Sequence, residues 1–280
     1  MNNILIIGSS SKIANSITNN SQNHSENIYG LTSNVNHNGY STSKIKSFHY
    51  SDYLKIAHIR FNKIFILSTR PANRNGTFAD YSNVNEMILK ILQDITFSNT
   101  SKIVFFSSLS VYDSQEELIN INTPVKPQTN YGKAKFQLEK KLTNFAKNRY
   151  SLMILRLPVL LYKGVETNFL GLQMKNMTLK KSLIFYNPKL KISAIFDVKT
   201  LIELEKKANN TFEILICGSQ PDLTFLEIAE EFKKFGANKI IWMKSQNPST
   251  MIDVSPLENI LNYKPSASYI FKNWMKSEFS

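Results

Sequence analysis

Cysteine is almost missing from this 280-residue sequence: Cys217 stands alone, which excludes an internal disulfide and a thiolate metal cluster together. Histidine is equally sparse, and His24, His37, His49 and His58 fall at spacings that match no metal-ligand pattern. No apolar run nears the ~18 residues of a membrane-spanning helix. The most apolar stretch, Leu152 to Tyr162, is broken by Arg156 and Pro158. Met1-Asn2-Asn3 carries no basic flank and Ile4 to Ile7 is too short for the centre of a secretory signal, so a cytoplasmic protein is expected. Neither a Gly-x-x-x-x-Gly-Lys phosphate loop nor a His-Glu-x-x-His helix occurs. Acidic residues are also short, 21 against 34 Lys plus Arg, for a net charge of +13. The basic residues fall in doublets, Lys140-Lys141, Lys180-Lys181, Lys206-Lys207 and Lys233-Lys234, and none forms a run of five or six. Solvated helix faces account for them, and the excess suits small polyanions such as nucleotides and diphosphates rather than nucleic acid.

What is present is a core-forming composition, 42% hydrophobic, set out in an alternating rhythm. Ile4 to Ile7, Ile28 to Leu31, Ile45 to His49, Ile64 to Leu67, Ile103 to Phe106 and Leu152 to Leu155 read as buried parallel strands. Between them Lys12 to Asn19, Tyr53 to Ile59, Tyr81 to Ile95 and Tyr131 to Lys147 have apolar residues three and four apart, the helical spacing that covers one face of a sheet. This alternation predicts an α/β fold, a doubly wound parallel (Rossmann) sheet over 1–160. Past residue 160 the rhythm loosens into a smaller α+β region, 161–280, of which Phe212 to Cys217 is a strand able to return to the main sheet. Trp242 and Trp274, among apolar neighbours, are expected in the core.

Three places carry chemistry. The first strand runs into Gly8-Ser9-Ser10-Ser11-Lys12-Ile13-Ala14 and a helix, the arrangement in which a tight turn brings backbone and helix N-terminus to a pyrophosphate. Ser11 and Ala14 replace the second and third glycines of the usual fingerprint, so an ordinary turn with serine as N-cap is an equal reading of this motif alone. After the second strand come Thr32, Ser33 and Asn34. A carboxylate there would bind the ribose 2′-hydroxyl; its absence leans the cofactor towards NADP. The third place combines Phe105-Phe106-Ser107-Ser108-Leu109-Ser110-Val111-Tyr112 with Asn130-Tyr131-Gly132-Lys133-Ala134-Lys135. A strand ending in hydroxyls delivers Ser108 to the carboxyl edge of the sheet. Tyr131 and Lys135, four apart on a helix, share a face, and an ammonium beside a phenol stabilises the phenolate for acid/base work. Tyr40 and Lys44 repeat the spacing without a serine-ended strand before them, so spacing alone does not select the pair.

These motifs, with Tyr81-Ser82-Asn83-Val84-Asn85, Leu155-Arg156-Leu157-Pro158 and Phe196-Asp197-Val198, resemble those of the extended short-chain dehydrogenase/reductase superfamily, in particular its NAD-dependent epimerase/dehydratase branch, over nearly the whole chain. The resemblance implies Tyr131 as acid/base, Lys135 on the nicotinamide ribose and Ser108 on the reacting oxygen. It also implies cofactor contacts from Gly8, Ser10, Ser11, Lys12, Ile13, Thr32, Ser33, Ser68, Asn85, Ser107 and Pro158, and substrate contacts from Ser108, Asn168 and Lys191, with no metal. Leu109-Ser110 stands where the branch's dehydratases have an acidic pair, which removes sugar dehydration. What remains is a keto-sugar reductase or epimerase acting on a nucleotide-linked sugar with NAD(P), the reductase being preferred because the region after residue 160 is short. A non-catalytic NAD(P)-binding sensor or scaffold is the alternative. Helices around Tyr81 to Ile95 and Tyr131 to Lys147 resemble a dimerising pair in that family, with Met87, Ile91, Phe136 and Leu142 as its apolar seam, unless these face the sheet. Asn168 is either a substrate contact or an N-cap.

Overall fold

The computed structural model describes residues 2–20, 26–33, 44–67, 76–112, 116–209, 211–244 and 250–280. Seven strands form one parallel sheet: β1 (Asn2–Ile7), β2 (Glu26–Thr32), β3 (Ile45–His49), β4 (Arg60–Ile66), β5 (Thr96–Ser108), β6 (Ser151–Leu157) and β7 (Phe212–Ile216). Their spatial order is β7-β6-β5-β4-β1-β2-β3. The apolar runs are continuous rather than alternating because helices cover the sheet. Helices α2 (Phe78–Asp94) and α3 (Asn130–Ala146) bury Ile88, Ile91, Leu92, Leu138 and Leu142 against Leu5, Ile7, Ile64, Ile103, Phe105 and Ile154. Helix α1 (Lys12–Asn20) buries Ala14 and Ile17. The fold is thus the doubly wound one expected. Strand order reverses between β1 and β4, and the carboxyl ends of strands at such a switch point form the ligand crevice of open α/β sheets.

The chain divides into two compact units. The first holds Met1–Asp113, Val125–Arg156 and Ala208–Leu215; the second holds Ser114–Pro124, Leu157–Lys207 and Ile216–Ser280. The second unit carries α4 (Phe169–Thr178), α5 (Val198–Lys207), α6 (Phe225–Lys234), α7 (Ser255–Leu261) and α8 (Ala267–Phe279), with short strand pairs between them. Its core joins Leu183, Phe185, Phe232, Phe271 and Trp274.

The structure corrects several local expectations. The region around Tyr53 to Ile59 forms a 3₁₀ helix over Tyr50–Ile56, opened by the His49 ring, which accepts the Ser51 amide. β5 begins at Thr96, seven residues before the apolar run. A register shift between Phe61 and Lys63, and the Ser101 hydroxyl donating to the Phe61 carbonyl, fit this polar stretch against β4. The strand expected over Ile192 to Phe196 splits into Lys191–Ile192 and Ile195–Asp197, which pair with Leu223–Thr224 and Val159–Leu161 respectively. Buried Ser193 makes the break, its carbonyl accepting the Ser219 amide and its hydroxyl the Ile252 amide. Trp274 is in the core, but Trp242 is 39% exposed; among the described residues its strand Ile240–Met243 pairs with Leu183–Tyr186 in a two-stranded sheet. Ile91 and Leu142 are fully buried against the sheet and half-buried Met87 packs against the same core, so of the expected seam only Phe136 stands apart from it.

Candidate active site

Gly8 follows β1 with φ +100°, a conformation that glycine, lacking a Cβ, adopts at little cost. The Gly8 and Ser9 amides both donate to the Leu31 carbonyl, at 2.8 and 3.0 Å, which ties the turn to β2. Ser9 is buried directly against Gly30 of β2, where any Cβ would collide with its side chain. Ser11 turns its hydroxyl back to accept the Ala14 amide at 3.1 Å and so caps α1. Serine in place of the second glycine therefore has a structural use, and the amides of the first helical turn, Lys12 and Ile13, keep the direction that helix N-termini offer to anions. Ser10 is half-buried in the same turn. Thr32 is buried at the end of β2 and Ser33 is exposed just beyond it. Ser68, Asn34 and Tyr40 lie outside the described residues.

The end of β5 and the start of α3 meet closely. Ser108 ends the strand, and its hydroxyl accepts the Ser110 amide and donates to the Ser110 hydroxyl, both at 3.1 Å. Thr129 caps α3 by accepting the Gly132 amide. A Cβ on Gly132 would run into the Ser110 backbone carbonyl, so the absence of a side chain is what lets the helix rest on the turn after Ser108. Gly132→Ala is expected to cost about 1–3 kcal/mol through this overpacking, read as a lower urea midpoint with an unchanged slope. A variant as stable as the parent would mean that the turn yields without strain.

Lys135 is 3% exposed. Its Nζ donates to the Phe106 carbonyl at 2.5 Å and stands 4.9 Å from the Phe105 ring centre and 5.6 Å from that of Tyr131. Burial pushes this ammonium down to about 7, against a partial restoring pull from Glu139. Tyr131 packs edge-on against Tyr81 of α2, ring centres 5.7 Å apart. Asn85, also on α2 and buried, donates to the Ala134 carbonyl at 2.9 Å and so holds the helical turn that carries Lys135. Tyr131, Lys135 and the Ser108 turn are thus gathered at the carboxyl end of β5.

Behind them lies a buried ionic cluster that sequence reasoning missed. Glu139, one turn beyond Lys135, accepts the Ser107 hydroxyl at 2.5 Å on Oε1. Arg156 of β6 donates to both carboxylate oxygens, Nε to Oε1 at 3.1 Å and Nη2 to Oε2 at 2.7 Å, and through Nη1 to the Tyr112 hydroxyl at 2.7 Å. Burial pulls the guanidinium down, but these bonds outweigh it and hold Arg156 above its ordinary value. Burial likewise raises Tyr112. The signal for this cluster was an arginine inside the otherwise apolar run Leu152–Leu157, which requires a carboxylate partner when buried. The Ser107 side chain faces this cluster.

In the second unit, Asn168 caps α4: its Oδ1 accepts the Gly171 amide at 2.8 Å and its Nδ2 donates to the Leu160 carbonyl at 2.9 Å. Both ends of the amide are used structurally, the second of the two readings its sequence allowed. Lys191 is exposed on the strand paired with Leu223–Thr224, and Pro158 is half-buried between β6 and Val159–Leu161. Among the described residues no group of three or more His, Cys, Asp or Glu could hold a metal ion, and no helix is long and apolar enough to cross a membrane.

The sequence profile of the NAD dependent epimerase/dehydratase family matches residues 4–189. Among solved structures, UDP-glucuronic acid 4-epimerase from Bacillus cereus in complex with NAD superposes with a TM-score of 0.80 at 17% identity, over 99% of this chain and 95% of that one. The UDP-Glc/GlcNAc 4-epimerase from Campylobacter jejuni gives 0.79 at 18% identity, over 100% and 98%. At these identities the likeness is one of fold. No curated protein sequence matches the chain.

Proposed function

The chain belongs to the NAD dependent epimerase/dehydratase family, and we propose that it is an NAD(P)-dependent epimerase of a nucleotide-linked sugar, with Tyr131 as acid/base, Lys135 and Ser108 as its partners, and no dehydratase activity. One observation carries the reading. A buried lysine 5.6 Å from the Tyr131 ring is fixed on the Phe106 carbonyl, which lies two residues before the hydroxyl that ends β5. The preference for a reductase drawn from a short region after residue 160 loses its ground, since the chain spans 95% of a 4-epimerase of the same fold.

The turn after β1 fits a dinucleotide: a left-handed glycine, a helix N-terminus behind it, and a serine packed on Gly30 in place of a bulkier side chain. Gly8, Ser10, Ser11, Lys12 and Ile13 would hold the diphosphate, Lys135 the nicotinamide ribose, and Thr32 and Ser33 would meet the adenosine ribose. NAD supplies a hydride acceptor and donor when bound. Tyr131 Oη takes the proton of the sugar hydroxyl as that carbon is oxidised and returns it when the carbon is reduced. Ser108 donates to the same oxygen and keeps it in line with the phenol. Leu109 and Ser110 offer neither the acid nor the base that loss of water would need. A homodimer through α2 and α3 would have Phe136 on its seam, and the cytoplasm is the compartment this chemistry suits.

Incubation with NAD and a panel of UDP-sugars is expected to give the 4-epimer with no net change in cofactor absorbance. Consumption of NADH or NADPH without a returned epimer would make the protein a reductase. Cofactor binding with no product from any sugar would favour a sensor or scaffold. Melting curves with each cofactor decide the 2′-phosphate question: with no carboxylate at Thr32 or Ser33, NADP is expected to raise the melting temperature at least as far as NAD, and a shift with NAD alone would reverse that preference.

A further inference from the structure

We propose that Glu139 is a positioning residue for this site: bound to Arg156 and Ser107, it fixes the helix face that carries Lys135 and holds a buried negative charge one helical turn from that lysine. The proposal rests on the assignment of Lys135 and Tyr131 above and adds a residue that touches neither substrate nor cofactor. Glu139 is 3% exposed and Arg156 6%, and replacing both by apolar residues of like size is often neutral or stabilising for a fold. Stability therefore does not account for an ion pair at this position, whereas a charged lysine one helical turn away does.

The charges around Lys135 come from every element packed on it. α3 contributes Tyr131 and Glu139, β5 the Phe106 carbonyl and Ser107, and the turn after β5 Tyr112. β6 contributes Arg156, while α2 brings Tyr81 against Tyr131 and Asn85 against the Ala134 carbonyl. Glu139 bears on the ammonium as a full charge in its favour, and Arg156, bonded to that carboxylate, offsets part of its field. With Glu139 ionised the three groups sum to one positive charge; with Glu139 neutralised two cations share a dry interior. The lysine is the one that gives way, because arginine does not deprotonate in proteins. Burial already holds Lys135 near neutrality, at about 7, so a modest change in its neighbours decides whether it is charged at working pH.

The test reads Lys135 directly. Protein labelled with ε-¹³C lysine is titrated by NMR, the Lys135 signal being the one lost in Lys135→Met. Glu139→Gln is expected to lower its midpoint by about one pH unit, the low end of the effect of an opposite charge within reach. Arg156→Gln is expected to raise it, since Glu139 then faces one cation instead of two. Glu139→Gln combined with Arg156→Gln leaves no charge unpaired and pairs amide with amide, so it keeps the experiment open if a single change unfolds the chain; its midpoint is expected below the parent's. In turnover, the alkaline limb of the kcat profile is expected to follow the same midpoints. Midpoints that stay in place in all three variants, or that move in one direction for both single changes, overturn the proposal. If the midpoints move as stated but the parent converts no nucleotide-linked sugar, the functional reading fails and the role of Glu139 towards Lys135 stands.

Discussion

Tyr131→Phe is expected to lower epimerisation by about 10²- to 10⁴-fold, the usual contribution of a positioned acid/base, while the rise in melting temperature produced by NAD stays at the parental value. The change deletes one oxygen and leaves the ring, so the edge-on packing against Tyr81 and the cation-ring contact with Lys135 persist. Structure and activity are therefore separable at this position. A fall in kcat with the cofactor-induced shift retained identifies Tyr131 as the group that moves the proton. A loss of the cofactor shift would instead mean that the hydroxyl holds the dinucleotide, and full activity would remove Tyr131 from the mechanism altogether. Ser108 provides a useful contrast: its hydroxyl is shared with Ser110, so a second oxygen stands nearby when it is changed to alanine.

The layout of the sheet was legible because inner strands β1, β4, β5 and β6 each carry a buried stretch, Ile4–Ile7, Ile64–Ile66, Ile103–Phe106 and Leu152–Leu155, that stands out as an unbroken apolar run between helical patterns. The site's position followed from the same logic, since the carboxyl ends of β1, β2 and β5 are where such a sheet receives ligands. What escaped was whatever depends on long-range partners. The polar start of β5 looks like a loop until Ser101 is seen bonded to the Phe61 carbonyl forty residues earlier in the chain. Ser193 splits a strand because it serves backbone groups at positions 219 and 252. Ile91 and Leu142 have the spacing of an interface seam and of a core face alike, and only the packing distinguishes them. Arg156 announced itself as a charge in an apolar run, yet its partner Glu139 lies seventeen residues away on a helix rich in charged residues, where a carboxylate attracts no notice. The glycine turn shows the reverse: Ser11 looked like erosion of a motif, and the structure gives it a capping bond.

Lys135→Met is expected to abolish turnover and at the same time make the protein more stable at neutral pH. The folded pKa of Lys135, about 7, lies below the 10.5 of an exposed lysine. Between these values the unfolded chain binds the proton and the folded one does not, so this residue makes stability rise with pH across that window. Below pH 7 both states are protonated and the full cost of burying the charge is present; above 10.5 it has gone. Methionine fills a similar volume without the charge, and exchange of a buried ionic group for an apolar one of like size gains about 1–4 kcal/mol in favourable cases. Loss of the bond to the Phe106 carbonyl takes back about 1 kcal/mol, which leaves a net gain of roughly 1–3 kcal/mol near pH 7. Urea unfolding of parent and variant from pH 6 to 10 isolates the residue, because every other titrating group is common to both. The two stability curves should stand apart at pH 6 to 7 and converge towards pH 10, the parent rising to meet the variant. Curves that run parallel would show that Lys135 keeps its ordinary affinity for the proton in the fold. A variant less stable at every pH would show that the ammonium contributes more through its bonds than burial costs it. In the expected outcome the fold carries at this position a charge that weakens it, and a role in holding a ribose and steadying a phenolate is the reason such a charge is worth keeping.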